Sequence, residues 1–323
     1  MSATVEEARA FDRQIIERVR HGHVPDLRRA EPCEHFQNNA WRHPEYVRLD
    51  FGEIFELIRD AIRRHARPPA ARWRVIEIGC GPGHISLELS RAGFDVTGVD
   101  LSPACIEVAR RVAEEDPWAA QRGQLNYVCG DGLDPSIELD GPFDAAVFVG
   151  ALHHFPDQGA IARRVASLLA PGGLILAHEP SRDRITTGNL TFICLLRALL
   201  AASGGFHECL DPPLDRDAID KAVATLRAEL TCTDAQGAKA QSPLDNEAGH
   251  AEMLPALRRC FDEVVYRERY AFFHELIGGL RFDEATNIRL ARSLRAFDAE
   301  LCRLGVLQPT EFFFVGRRRG GES

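Results

Sequence analysis

The run Glu77-Ile78-Gly79-Cys80-Gly81-Pro82-Gly83 has the make-up of a turn that brings backbone close to a ligand. Glycines there can adopt positive φ, and they leave open the space a Cβ would fill. The run follows an apolar strand and opens a helix, yet it fails the dinucleotide fingerprint G-x-G-x-x-G. Counted from Gly79 the third glycine position holds His84, and counted from Gly81 it holds Ser86. Asp100 lies twenty-one residues after Gly79, within Val99-Asp100-Leu101-Ser102-Pro103, and its carboxylate can accept two hydrogen bonds from a ribose diol. Asp131, in Cys129-Gly130-Asp131-Gly132, can accept from an exocyclic amino group. Glu77, Asp100 and Asp131 all fall at the carboxyl ends of apolar runs, where open α/β sheets bind ligands beside the topological switch. The set predicts a site for an adenosyl compound.

Those positions need strands and helices to hold them. The apolar runs Arg74–Ile78, Asp95–Val99, Asn126–Cys129, Ala145–Val149 and Leu174–Ala177 alternate with helical segments near 83–92, 103–115 and 157–169. That rhythm predicts βαβ units and a parallel sheet whose strands are buried on both faces. Before it come a helix over 4–20, an irregular stretch broken by Pro25, Pro32 and Pro44, and an amphipathic helix over 47–65 that Pro68-Pro69 stops. After Glu179-Pro180 the rhythm gives way to an apolar helix (185–203), a charged helix (215–230) and a polar loop (233–249). It then resumes with a helix at 249–260, a strand from Glu263 to Phe273, a helix at 283–303 and a last strand, Glu311–Val315. The expectation is a Rossmann-like, doubly wound α/β fold on a seven-stranded sheet with the last strand antiparallel.

In these motifs the chain resembles the class I S-adenosylmethionine-dependent methyltransferases, over about residues 70–180 and again at 249–318. E-I-G-C-G-P-G (77–83), V-T-G-V-D-L-S-P (96–103), G-D (130–131), F-D-A-A-V-F-V-G-A-L-H-H-F (143–155) and L-A-P-G-G-L-I-L (169–176) carry the likeness. The resemblance implies that the turn at Gly79 and Gly81 lies against the methionine part, that Glu77 helps to position its amino group, and that Cys80 and Gly150 also belong to the cofactor site. It implies that Asp100 holds the ribose, Leu101 packs on the adenine, and Asp131 with Gly132 reads the adenine edge. It divides the chain into an N-terminal helical extension or lid (1–69), the S-adenosylmethionine-binding core (70–180), a helical insertion capping the acceptor (181–248) and the rest of the core sheet (249–323). The product would be S-adenosylhomocysteine.

Methyl transfer to a hydroxyl needs a general base, and histidine has a suitable pKa. Leu152-His153-His154-Phe155-Pro156-Asp157 is similar to the L-H-D-W-x-D stretch of plant-type small-molecule O-methyltransferases, whose histidine is the base. Residue by residue, His153 takes that place and His154 replaces the aspartate. Glu179, just beyond the fifth strand, could orient a histidine, whereas His178 beside it points the other way. Phe36, Asn39 and Trp41 in the N-terminal segment, and His207 in the insertion, are candidates for acceptor contacts. No metal is expected: His207, Glu208 and Cys209 are adjacent and cannot enclose one ion. Phe272-Phe273-His274 reads as the end of a core strand.

The reading is an O-methyltransferase acting on a small molecule. The alternatives are N- or C-methylation, a macromolecular acceptor, or a cofactor-binding protein without turnover. A net charge of −9 and the lack of a basic stripe argue against nucleic acid. No N/D-P-P-Y/F motif of base methylation stands after the fourth strand. Nine scattered cysteines without a C-x-x-C pair fit a reducing cytoplasm better than a disulfide framework. The N-terminus lacks a signal peptide's basic start and apolar run. Arginine outnumbers lysine so heavily that only Lys221 and Lys239 are lysines, a mark of GC-rich, bacterial coding. The longest apolar stretch, Leu190 to Ala202, contains Arg197 and is too short for a bilayer. It suits a cap or a dimer face, so the protein is expected as a monomer or homodimer.

Overall fold

The apolar runs form one sheet in a computed structural model that describes residues 2–231, 239, 241–246 and 248–320. Cys232 and much of the expected polar loop lie outside the described residues. The strands are β1 (Arg74–Ile78), β2 (Asp95–Asp100), β3 (Leu125–Cys129), β4 (Phe143–Val149), β5 (Leu169–Pro180), β6 (Phe261–Arg269) and β7 (Glu311–Arg318). They are ordered β3-β2-β1-β4-β5-β7-β6, and β7 runs antiparallel to both its neighbours. The expected seven-stranded sheet with its last strand reversed is therefore present.

The helices are α1 (Ala3–Arg20), α2 (Pro44–Val47), α3 (Glu53–His65), α4 (His84–Arg91), α5 (Pro103–Glu114), α6 (Gln158–Leu168), α7 (Thr187–Ala202), α8 (Arg216–Leu230), α9 (His250–Cys260), α10 (His274–Ile277) and α11 (Glu284–Arg303). Local chemistry sets many of their starts. Ser102 caps α5, its hydroxyl accepting from Cys105 N at 3.0 Å, with Pro103 at the first helical position. Asp157 and Asp283 cap α6 and α11 in the same way.

Alternate strand residues feed two cores, one on each face. Ile76, Ile78, Phe148, Ile175 and Phe312 face α6 and α9, while Val75, Val147, Leu174, Leu176 and Phe313 face α3 through Ile54, Ile58 and Ile62. Both faces are covered, which is why these strands read as continuous apolar runs. Among the described residues, no helix is long and apolar enough to cross a membrane.

The structure departs from expectation in two elements. The helix expected over 47–65 is not continuous, because a π turn at Arg48–Gly52 separates α2 from α3. The strand expected to run to Phe273 ends at Arg269. Tyr270 turns the chain out of the sheet at φ 50°, and the N–H groups of Ala271, Phe272 and Phe273 all donate to Asp298 Oδ2 on α11, at 2.8–2.9 Å. Phe272 and Phe273 then pack in the helical layer instead of ending a strand.

Candidate active site

A cavity of about 390 Å³ opens beyond the carboxyl ends of β1 and β2, beside β4, where the strand order reverses. Three elements make its floor. The glycine turn is pinned to β2, with the N–H groups of Gly79 and Cys80 both donating to Val99 O at 2.8 and 3.0 Å. Gly79 has φ +72°, and a Cβ on it would stand 2.5 Å from that of Ala151, so only glycine lets the turns after β1 and β4 approach this closely. Asp100 braces the same turn: Oδ2 accepts from Gly81 N at 2.7 Å and Oδ1 from Ser102 N at 2.8 Å. Asp131 accepts from Leu133 N at 2.8 Å, shaping the loop after β3.

All nine residues expected to contact the cofactor line this one cavity: Glu77, Gly79, Cys80, Gly81, Asp100, Leu101, Asp131, Gly132 and Gly150. Their surroundings are dry. Burial pushes the Glu77 carboxyl up to about 8, against a hydrogen bond that Ser86 donates to it. Burial also raises Asp100, and it raises the Cys80 thiol well above its usual range.

The roof was not foreseen. Helix α1 contributes Thr4, Glu7, Phe11, Gln14 and Arg18 to the cavity wall, and Leu244 closes it from the far segment. Two carboxylates fasten α1 there. Glu7 accepts from Ser242 Oγ and Leu244 N, each at 2.8 Å, and Asp12 accepts from Ser102 Oγ at 2.6 Å and Ala104 N at 2.9 Å. Burial opposes the charge on Glu7, but His154, Leu244 N–H and Ser242 together hold it below the usual carboxylate range. His84 also lines the cavity, stacked edge-on to Trp41 and Phe51, and burial drives it down to about 4. Sequence reading missed these groups because each gains its place from a contact far along the chain.

The two adjacent histidines part company. His154 lines the cavity with Nδ1 2.8 Å from Glu7 Oε1. His153 turns inward and is not among the lining residues. Its Nδ1 is 2.8 Å from Glu179 Oε2 and its Nε2 is 3.6 Å from Asp245 Oδ1. Burial works against a charge on His153, but Asp245 and Glu179 on either side outweigh it and push the imidazole up to about 9. Glu179 is fully buried behind the cavity and also accepts from the N–H groups of Ala151, Leu152 and His153. It holds the turn after β4. As expected, His178 points away, toward Glu311 and Arg269.

The four residues singled out for acceptor contacts do not line the cavity. Phe36 and Trp41 are buried with Cys33 and Val47, and Trp41 meets the cavity wall through His84 and Phe51. Asn39 caps a short 3-10 turn, accepting from Trp41 N at 2.9 Å. His207 packs on Phe206, with its backbone N–H bonded to Gly279 O. Helices α7 and α8, expected to cap the acceptor, bury their apolar faces against each other and against Phe272, Leu276 and Leu307. Of the described residues within 181–248, only Leu244 lines the cavity.

Residues 51–209 match a family model described as a methyltransferase domain. The chain carries a class I S-adenosylmethionine-dependent methyltransferase domain. Among similar curated proteins, a ubiquinone biosynthesis O-methyltransferase of Xanthomonas axonopodis pv. citri (strain 306) is 40% identical over 117 residues, 36% of this chain and 47% of that protein. Its counterpart in Xanthomonas campestris pv. campestris (strain B100) is 39% identical over 109 residues, 34% of this chain and 44% of that protein. The chain thus spans about half the length of these relatives. Among solved structures, the cyclase SpnF superposes with a TM-score of 0.52 at 14% identity, covering 99% of this chain and 97% of that one. Geranyl diphosphate C-methyltransferase of Streptomyces coelicolor A3(2) gives 0.52 at 12% identity over 99% of each chain. At such identities these two establish the shared fold of the methyltransferase domain and its flanking helices.

Proposed function

We propose that the protein transfers the methyl group of S-adenosylmethionine to a hydroxyl of a small-molecule acceptor. The observation that carries this reading is the gathering of Glu77, Asp100 and Asp131 around one cavity whose wall also bears His154 and Glu7. The residues fit the cofactor. The cradle at Gly79 has no room for a Cβ, and the carboxylates suit an ammonium and a ribose diol. Arg18 in the wall offers a cation for the methionine carboxylate. When bound, S-adenosylmethionine supplies the methyl group and a sulfonium leaving group.

The chain's own contribution is to position, to exclude water and to shape the acceptor's approach. Positioning alone is worth roughly 7–11 kcal/mol of a bimolecular barrier. The cavity sits near the lower end of the about 300–1,000 Å³ usual for ligand pockets, a size that suits a small-molecule cofactor. The names of the Xanthomonas relatives support oxygen as the acceptor atom.

His153, matched to the base of small-molecule O-methyltransferases, is the wrong one of the two histidines for direct contact. It is held between two carboxylates behind the wall and acts as a positioning residue for the turn. His154 is the imidazole that meets the acceptor.

The test is calorimetry with S-adenosylmethionine and S-adenosylhomocysteine, followed by a screen of phenols, aliphatic alcohols and amines for S-adenosylhomocysteine release. Micromolar cofactor binding and turnover on hydroxyl compounds are expected. Absence of cofactor binding, or turnover confined to amines, would sink the reading.

A further inference from the structure

Two imidazoles and a carboxylate converge at the inner wall of the cavity, where His154 and Leu244 line it and His153 and Asp245 lie just behind. One ligand atom from each of His153, His154 and Asp245 lies within 4.8 Å of the other two. His153 Nε2 is 3.6 Å from Asp245 Oδ1, too long for a hydrogen bond. It is close to the roughly 3.4 Å edge that two ligands make when each is about 2.1 Å from a tetrahedral ion.

One ring nitrogen of each histidine stands beside a carboxylate. Nδ1 of His153 stands 2.8 Å from Glu179 Oε2, and Nδ1 of His154 stands 2.8 Å from Glu7 Oε1. Metal-binding histidines give their second nitrogen to a carboxylate in this manner, which fixes the ring and strengthens it as a donor. The His153 ring does so through Glu179, whereas Nδ1 of His154 stands beside Glu7 without the geometry of a hydrogen bond. Glu7, Glu179 and Asp245 are 1%, 0% and 3% exposed. The segment bearing Asp245 is also tied to this corner, since Ala248 N donates to His153 O at 3.1 Å.

We propose that His153, His154 and Asp245 form a site for one divalent first-row transition-metal ion, with Glu179 orienting the His153 ring. Two imidazoles and one carboxylate suit zinc or cobalt better than magnesium, which prefers oxygen throughout. The remaining position faces the cavity at His154. The consequence for catalysis rests on the acceptor reading above: a hydroxyl bound there would lie on the ion and be acidified, as zinc acidifies water. Binding of the ion does not rest on that reading. The sequence reading expected no metal, and it did not weigh this set because its third member lies far along the chain from His153 and His154. Asp245 arrives from a distant loop.

The experiment is titration of chelator-treated protein with cobalt(II), followed by visible d–d absorption and by competition with zinc. Binding of about one equivalent at micromolar or lower Kd is expected. Asp245→Asn, which keeps the shape of the loop, should weaken it at least about 100-fold, and Glu179→Gln about 10- to 100-fold. Unfolding midpoints of each variant confirm that the fold is intact. No binding by the parent protein, equal binding by Asp245→Asn, or intense thiolate charge-transfer bands placing the ion on a cysteine would each overturn the proposal. Calorimetry with S-adenosylhomocysteine on the same samples separates the two ideas. Loss of that binding with cobalt binding retained would remove the methyltransferase reading and leave the metal site.

Discussion

Glu7 of the first helix meets His154 of the turn after β4 at 2.8 Å, and the same carboxylate holds Ser242 and Leu244 N. One buried side chain thus joins the roof, the floor and the distant closing segment. Without it, α1 would rest on the sheet domain chiefly through the Asp12 contacts and its packing on α5.

Glu7→Ala should therefore loosen the roof. It strands the Leu244 N–H and the Ser242 hydroxyl, a loss of about 1–3 kcal/mol. Urea unfolding should show the fall in midpoint, and hydrogen exchange should rise along α1 and not in β1 or β4. Unchanged exchange in α1 would mean that the helix is held by other contacts.

Asp100→Ala should weaken S-adenosylmethionine binding by about 1.5–3 kcal/mol, or roughly ten- to a hundred-fold. The structure adds a second effect. Asp100 also accepts from Gly81 N and Ser102 N, so the alanine variant frees two backbone donors of the glycine turn. Asp100→Asn keeps an acceptor oxygen and should lose less stability than the alanine variant. Calorimetry and thermal unfolding of both variants separate ligand contact from turn support. Equal affinity in all three proteins would remove Asp100 from the cofactor site.

The sheet and the floor of the cavity were legible in the sequence for a local reason. The apolar period, the glycine turn and the carboxylates at strand ends are written within short windows. All nine expected cofactor contacts line the cavity because a strand end in this topology has only one place to go. The roof was not legible. Glu7, Gln14 and Arg18 look like the polar face of an ordinary amphipathic helix, and only the tertiary contact turns them inward. Phe36 and Trp41 mislead in the opposite sense, since aromatic residues in an irregular segment serve packing as readily as a pocket. The end of β6 was missed because Asp298, far along in α11, captures the three N–H groups that follow Tyr270.

Glu179→Ala should be among the most damaging single changes in the chain. It removes the acceptor for the N–H groups of Ala151, Leu152 and His153 and the partner of the His153 ring. Breaking a buried pair from one side costs about 3–5 kcal/mol. Glu179→Gln retains an acceptor oxygen and should recover part of that loss. Denaturant unfolding of the two variants reads the difference. A loss below about 1 kcal/mol for alanine would show that the turn after β4 stands without this carboxylate.

The Glu77 carboxyl carries a pH dependence whose sign is fixed by its burial. Its pKa is raised to about 8 in the folded protein, against the ordinary 4.5. Between these values the folded chain binds more protons than the unfolded chain, so stability falls as pH rises through that window. The contribution is whole below pH 4.5 and lost as the pH passes about 8. Glu77→Gln, which cannot ionise, should flatten this slope in urea unfolding series. Binding reverses the preference. The ammonium of S-adenosylmethionine beside Glu77 favours the ionised form, so affinity should climb with pH up to about 8, by at most about tenfold per unit, with proton release. Calorimetry at neutral pH in two buffers of different ionisation enthalpy measures that proton directly. Identical heats for the parent protein in both buffers would mean that Glu77 does not change charge on binding and does not face the ammonium.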